Sequence, residues 1–227
     1  MERAIAVSPA ALRKAGRLGR WDRVYLGSSF CQALLPCGRD LEAALSAGAK
    51  TITLLTPLLT GGALAAFVSE LKGMLKAAPG LEVSVSDLGL MAAIRRRFGR
   101  KVPLSLGRPV SIDLIRMEKR ELSRFMRENG FAWLESDEAD MAAQLPAGFP
   151  FPAAFHYPLK YKAMSRLCPR TRKLNGECKK PCAGKAGKLS RVDGKGGLVL
   201  FENGYFVPNR PFAGGPVRRL VKTLVVP

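Results

Sequence analysis

Three cysteines stand close together late in the chain, in the stretch "SRLCPRTRKLNGECKKPC" (165–182), spaced Cys168-x9-Cys178-x3-Cys182. Around them are Arg166, Arg170, Arg172, Lys173, Lys179 and Lys180, against a single acid, Glu177. Thiolates are soft ligands, and neighbouring cations stabilise them. The segment therefore suits a metal centre, a disulfide set, or a nucleic-acid-binding loop. Two more cysteines, Cys31 and Cys37, bring the count to five. An odd count without a visible secretory signal argues against a disulfide framework and for metal or redox chemistry in a reducing, cytoplasmic setting. No apolar run reaches the roughly 20 residues of a membrane span; the nearest, "TITLLTPLLTGGALAAFV", is broken by Pro57 and Gly61-Gly62.

What must position these thiols is a series of short β-like runs alternating with helical ones. The strand patterns are "RAIAV" (3–7), "RVYLG" (23–27), "TITLL" (51–55), "EVSVS" (82–86), "VPLSL" (102–106), "FAWLE" (131–135) and "PAAFHY" (152–157). Between them lie "PAALRKAGRLG", then "RDLEAALSAG" closed by Gly48, and a stripe of Leu64, Phe67, Val68, Leu71, Met74 and Leu75 at helical spacing. "DLGLMAAIRRRFG" stops at Gly99, a long amphipathic helix is predicted from Ile112 to Asn129, and a short one in "DEADMAAQL". Seven βα units within residues 1–157, with no Gly-x-Gly-x-x-Gly after the first strand, predict an α/β fold of the (β/α)8, TIM-barrel-like kind.

Residues 158–227 read as a basic, cysteine-bearing loop and closing strands of the same domain. "KPCAGKAGKLSRVDGKGG" (180–197) is loop by composition, "LVLFENGYFV" (198–207) reads as a hairpin around Asn203-Gly204, and "RLVKTLVVP" (219–227) suits an eighth barrel strand. No helix is expected after it. The barrel is therefore expected to be incomplete at its last βα unit, with an apolar flank that a heterodimer with a homologous barrel subunit would cover.

Working residues of such a barrel sit at the carboxyl ends of strands and in the loops that follow. That rule brings forward Ser28, Ser29, Phe30 and Cys31 after the second strand, Asp87 after the fourth, Glu135 at the sixth and His156 at the seventh. Cys31 then shares a rim with Cys168, Cys178 and Cys182. Four thiols close a tetrahedral set for an iron–sulfur cluster or for zinc. The one-plus-one-plus-two spacing, with a single close pair, wraps more naturally round the larger cluster; zinc is the runner-up. Asp87, Glu135 and His156 are candidate catalytic groups, and Arg108 in "LGRP" is a candidate for holding a substrate carboxylate. Each has a plainer alternative. Asp87 can cap the helix it precedes, and Glu135 can favour a helix dipole. His156 can be a hydrogen-bonded core imidazole, and Arg108 a solvated turn residue. Cys37 has no assigned role.

"RVYLGSSFC", "SDLG", "AFHY…SRLCPRTR" and "NGECKKPC" resemble the motifs of the collagenase-like peptidase family over about Arg23–Asn203, nearest to the UbiU and UbiV subunits of ubiquinone biosynthesis. The resemblance implies a barrel holding a [4Fe-4S] cluster through Cys31, Cys168, Cys178 and Cys182. It further implies oxygen-independent hydroxylation of a quinone precursor or of an RNA base, with prephenate as oxygen donor. Tyr157 stands where the family has glycine after its histidine. A peptidase of the same family, or a non-catalytic cluster-binding partner subunit, is the alternative. Against a peptidase, no Ser/His/Asp order, His-Glu-x-x-His or Cys/His nucleophile motif is evident.

The net charge is +19, and the segment from Pro158 onward carries +13 of it. A positive C-terminal third is a surface for phosphates, and RNA is the partner it suggests. A generally basic proteome accounts for the same charge without any partner.

Overall fold

The computed structural model describes residues 1–140, 145, 148–173, 178, 182, 185–190 and 197–225. In chain order the elements are β1 (Glu2–Val7), β2 (Arg23–Gly27), α1 (Gly38–Ser46), β3 (Ile52–Thr56), α2 (Gly61–Ala77) and β4 (Glu82–Val85). Next come α3 (Leu88–Phe98), β5 (Leu104–Leu106), α4 (Arg108–Leu114), α5 (Lys119–Glu128), β6 (Phe131–Ser136) and β7 (Ala153–Tyr157). The rest are strands: β8 (Leu159–Met164), β9 (Ala186–Ser190), β10 (Gly197–Phe201), β11 (Gly204–Pro208) and β12 (Val217–Thr223).

Eight parallel strands close a barrel in the order β1-β12-β7-β6-β5-β4-β3-β2. The wall is complete, because β12 pairs with β1 on one side (Glu2 opposite Arg219) and with β7 on the other (His156 opposite Val221). Departures from a regular (β/α)8 plan lie in the connections. Two 3-10 helices, Pro9–Lys14 and Leu18–Arg20, join β1 to β2 where a full helix was predicted. Between β7 and β12 the chain builds an antiparallel sheet, β8-β11-β10-β9. The predicted hairpin is β10–β11, but Phe201 pairs with Gly204, so its turn is Glu202–Asn203.

The predicted helix from Ile112 to Asn129 is two helices. Pro109 in its first turn sets the start of α4 earlier, and Glu118 leaves helical geometry (φ −56, ψ 135) to cap α5, accepting from the Arg120 N–H at 3.3 Å. Apolar periodicity runs through such a break, because both pieces bury the same face. Most of the predicted "DEADMAAQL" helix lies outside the described residues.

Strand alternation sorts the barrel's side chains. Val24, Leu26, Ile52, Leu54, Val83, Val85, Leu104 and Leu106 belong to the cluster that packs against the helices. The residues between them turn inward, and the axis they fill is polar. Arg219 is 1% exposed and lies toward the amino end of the barrel, opposite Glu2, the first residue of β1. It donates from Nε to Glu2 at 2.6 Å and from Nη1 to Glu82 at 3.0 Å and to the Tyr25 hydroxyl, with its guanidinium 3.9 Å from the Trp133 ring centroid. Burial opposes its charge, but Tyr25, Glu82 and Glu2 outweigh burial and hold its pKa above the ordinary value. None of the described helices is long and apolar enough to cross a membrane.

Removing one member of a buried ion network leaves the others uncompensated, at a cost of about 3–5 kcal/mol. Arg219→Met is expected to lower the unfolding free energy by about that amount in urea denaturation, with partial recovery in Arg219→Met combined with Glu82→Gln. A loss below about 1 kcal/mol, typical of an exposed pair, would contradict the assignment.

Candidate metal centre and the barrel mouth

The loop after β2 begins at Gly27, whose φ of +120 and whose approach to Leu55 (2.5 Å from an added Cβ to the carbonyl oxygen) exclude any side chain. Ser28 then organises the turn. Its Oγ accepts from the N–H groups of Phe30 and Cys31, both at 3.0 Å, and donates to Glu202. Phe30 inserts into the four-stranded sheet, stacking on Tyr161 (centroids 5.2 Å) and meeting Phe206 edge-on at 4.9 Å. These contacts fix Cys31 at the carboxyl end of the barrel.

Cys168 follows β8. Its backbone closes a tight loop, with Arg172 N–H to Cys168 O at 2.8 Å and Cys168 N–H to Lys173 O at 3.1 Å, and Arg172 at φ +53. One cavity of about 70 Å³ is lined by Cys31, Cys168 and Cys178, with Arg166, Thr171, Lys173 and Asn203. Cys182 packs beside Cys31 against Leu34. The structure therefore brings all four sequence-predicted thiols to one region, although Cys31 and Cys168 are 137 positions apart.

Their environments differ. Burial, then the Glu202 carboxyl and the neighbouring Cys182 and Cys178, push the Cys31 thiol up to about 12. For Cys168, burial is outweighed by hydrogen bonds from the Thr171 side chain and the Thr171 and Arg170 backbone, so its pKa falls below the ordinary value. A cation bound at the cavity would favour all the thiolates. Among the described residues, no three His, Cys, Asp or Glu side chains converge closely enough for a single metal ion.

Cys37 lies elsewhere, as the N-cap of α1. It forms a reciprocal pair with Asp40, whose carboxylate accepts from the Cys37 N–H at 2.9 Å, and burial raises its thiol.

Asp87 caps α3, accepting from Gly89 and Leu90 N–H at 2.8 and 3.1 Å while its other oxygen accepts from Leu59 N–H at 2.9 Å. Both oxygens are thus engaged by backbone, as the capping alternative requires. Glu135 and His156 do come together, fully buried on the axis, with Nε2 to Oε2 at 3.0 Å and Ser105 donating to Oε1 at 2.6 Å. Burial pushes the Glu135 carboxyl up, but His156, Ser105 and Arg108 outweigh it and hold it below the ordinary value. Burial, with help from Arg108, pushes His156 down to about 4. With Glu135 ionised, Nε2 carries the shared proton and Nδ1 is a bare acceptor without a partner among the described residues. The pair lines neither the thiol cavity nor the axial pocket above it.

Arg108 is buried, 4% exposed, which rules out a solvated turn arginine. Its Nη1 lies 3.4 Å from Asp137 and its guanidinium 4.9 Å from the Phe30 centroid, while Nε has no partner among the described residues. It lines a narrow axial pocket with Ser8, Ser28, Ser29, Glu202 and Thr223. Sequence reasoning missed Glu202 and Asp137. For Glu202 the signal is a charged residue, beside Asn203, between two largely apolar runs in "LFENGYF". Burial pushes its carboxyl up to about 7, against the pull of Ser28 and Arg108.

No family model matches the chain, and no curated protein matches it. Among solved structures it is similar to one described as the U32 peptidase Mk0906, with a TM-score of 0.55, 10% identity, and coverage of 98% of this chain and 92% of that one. At that identity the likeness is one of fold.

The folded state keeps the Glu202 proton up to about pH 7, whereas the ordinary value is 4.5. Its favourable contribution is therefore full below about pH 4.5 and is lost as pH rises through 7, an effect of up to about 3 kcal/mol. Glu202→Gln, which cannot ionise, is expected to gain stability on its parent between pH 4.5 and 8 in urea melts across that range. A difference between the two that stays constant with pH would contradict the buried-acid reading.

Proposed function

We propose that this chain is an iron–sulfur barrel protein, holding a [4Fe-4S] cluster through Cys31, Cys168, Cys178 and Cys182 and acting in oxygen-independent hydroxylation. The observation that carries the reading is the shared cavity of Cys31, Cys168 and Cys178, with Cys182 packed beside Cys31. Exposed Arg166, Arg170, Arg172 and Lys173 around that cavity would offset the negative charge of a four-thiolate centre. Zinc is the runner-up cofactor, since the same four thiols could close a tetrahedral set.

A bound cluster supplies one-electron chemistry at the mouth of the barrel. The remaining roles fall to the chain's own side chains. Glu135 holds His156 in one tautomer, with Nδ1 left as a hydrogen-bond acceptor on the axis. Arg108, anchored by Asp137 and Phe30, has an unused Nε–H for a polar group entering the axial pocket. The substrate would be a quinone precursor or an RNA base, the latter drawn by the basic C-terminal third, and a homologous barrel would be the partner.

A second reading, peptidase, rests on the likeness of fold to the U32 peptidase Mk0906. In the Glu135–His156 pair the Ser105 hydroxyl is engaged by Glu135, not by the imidazole, so Ser105 is not an activated serine there.

Anaerobic purification is expected to give a brown protein with about four iron and four sulfide per chain, and Cys178→Ala or Cys31→Ala is expected to lose most of both. Iron retained without hydroxylation until a homologous barrel is added would identify a partner subunit. Peptide hydrolysis by metal-free protein, with no iron taken up, would replace the cluster reading with the peptidase one.

A further inference from the structure

The turn between β10 and β11 is built from residues that hairpins rarely use there. A two-residue turn with φ positive at its first position alone is a type II′ turn, which favours glycine at that position. Here that position is Glu202, at φ +57. Its carboxyl is also buried, 3% exposed. A side chain in left-handed geometry and a carboxyl removed from water are both unfavourable, and such pairs of costs persist where surrounding contacts over-determine them.

Those contacts lead to the thiols. The Glu202 carboxyl accepts from Ser28, and the same Ser28 oxygen accepts from the Phe30 and Cys31 N–H groups at 3.0 Å each. The next residue, Asn203, lines the thiol cavity, and its carbonyl accepts from the Ser165 N–H at 3.0 Å, three residues before Cys168. One turn thereby grips both the early loop that carries Cys31 and the late segment that carries Cys168.

We infer that the Glu202–Asn203 turn is the positioning element of the thiol site, setting Cys31 against Cys168 before any cofactor arrives. Glu202 acts through Ser28 and touches no reacting group. This inference rests on the thiols being a ligand set, but it concerns how the bare protein holds them. It explains why glycine is not used: glycine would relax the turn and abandon the Ser28 oxygen, and with it the orientation of the Cys31 backbone.

The test compares Glu202→Gly, Glu202→Gln and Ser28→Ala in metal-free full-length protein. The rate at which iodoacetamide modifies Cys31 is followed by mass spectrometry, beside thermal melting and the visible spectrum after anaerobic reconstitution with iron and sulfide. Glu202→Gly relieves the left-handed strain, so its melting temperature should hold or rise. Losing a hydrogen bond to a charged or buried group should nevertheless speed Cys31 modification about ten-fold or more and alter the reconstituted spectrum. Glu202→Gln keeps an acceptor oxygen, so its Cys31 modification rate and reconstituted spectrum should match the parent's, while Ser28→Ala should resemble Glu202→Gly in both. Unchanged Cys31 reactivity in both Glu202→Gly and Ser28→Ala would overturn the inference. So would faster modification that merely follows a fall in melting temperature. If the parent takes up no iron, the cluster reading fails, yet the Cys31 rates still decide the role of the turn.

Discussion

One buried guanidinium holds this barrel together. Arg219 comes from the strand that closes the wall, and it meets Glu2 of β1, Tyr25 of β2, Glu82 of β4 and Trp133 of β6. A cation with no access to water needs such a ring of partners, and the ring exists only once β12 lies between β1 and β7. Closure of the barrel and satisfaction of this charge are therefore the same event. The register it fixes carries up the axis to Thr223, which lines the pocket at the mouth.

Everything chemical lies at the other end of that axis. The four-stranded sheet between β7 and β12 is anchored through Phe30, Tyr161 and Phe206, and so brings the late cysteine segment onto the loop after β2. Below it the axis stays polar: Arg108 with Asp137, then Glu135 with His156 and Ser105. Buried polar groups of this kind are costly unless fully paired. Of the eight buried side-chain atoms without partners among the described residues, four, Arg108 Nε and the hydroxyls of Ser8, Ser29 and Thr223, belong to residues that line the same small axial pocket. That pocket holds an unusual share of unpaired polarity, and a functional site is where such polarity is expected.

Much of this was legible in the residue order. β-branched runs followed by helical stripes give seven βα units, and "RLVKTLVVP" carries the eighth strand, because these patterns depend on local periodicity. The meeting of Cys31 with the later thiols followed from the strand-end rule alone. What was hidden depends on contacts between distant strands. Arg219 and Glu82 read as surface charges until closure buries them together. Arg108 stands out in the sequence as a candidate for holding a carboxylate, but its burial beneath Phe30 and its pairing with Asp137 do not. Glu202 reads as a polar hairpin tip, since sequence does not reveal that Ser28, 174 positions earlier, donates to it. The break between α4 and α5 escaped because Glu118 caps a helix without interrupting the apolar stripe.

The central claim, that sulfurs from opposite ends of the sequence share one cavity, can be measured without any cofactor. Reduced, metal-free protein carrying Cys37→Ser is treated with a short bifunctional thiol reagent, and the linked peptides are identified by mass spectrometry. The account predicts an intramolecular link between Cys31 and Cys168 or Cys178 in dilute folded protein, lost in urea. Links confined to the late cysteines, with Cys31 never joined to them, would contradict it.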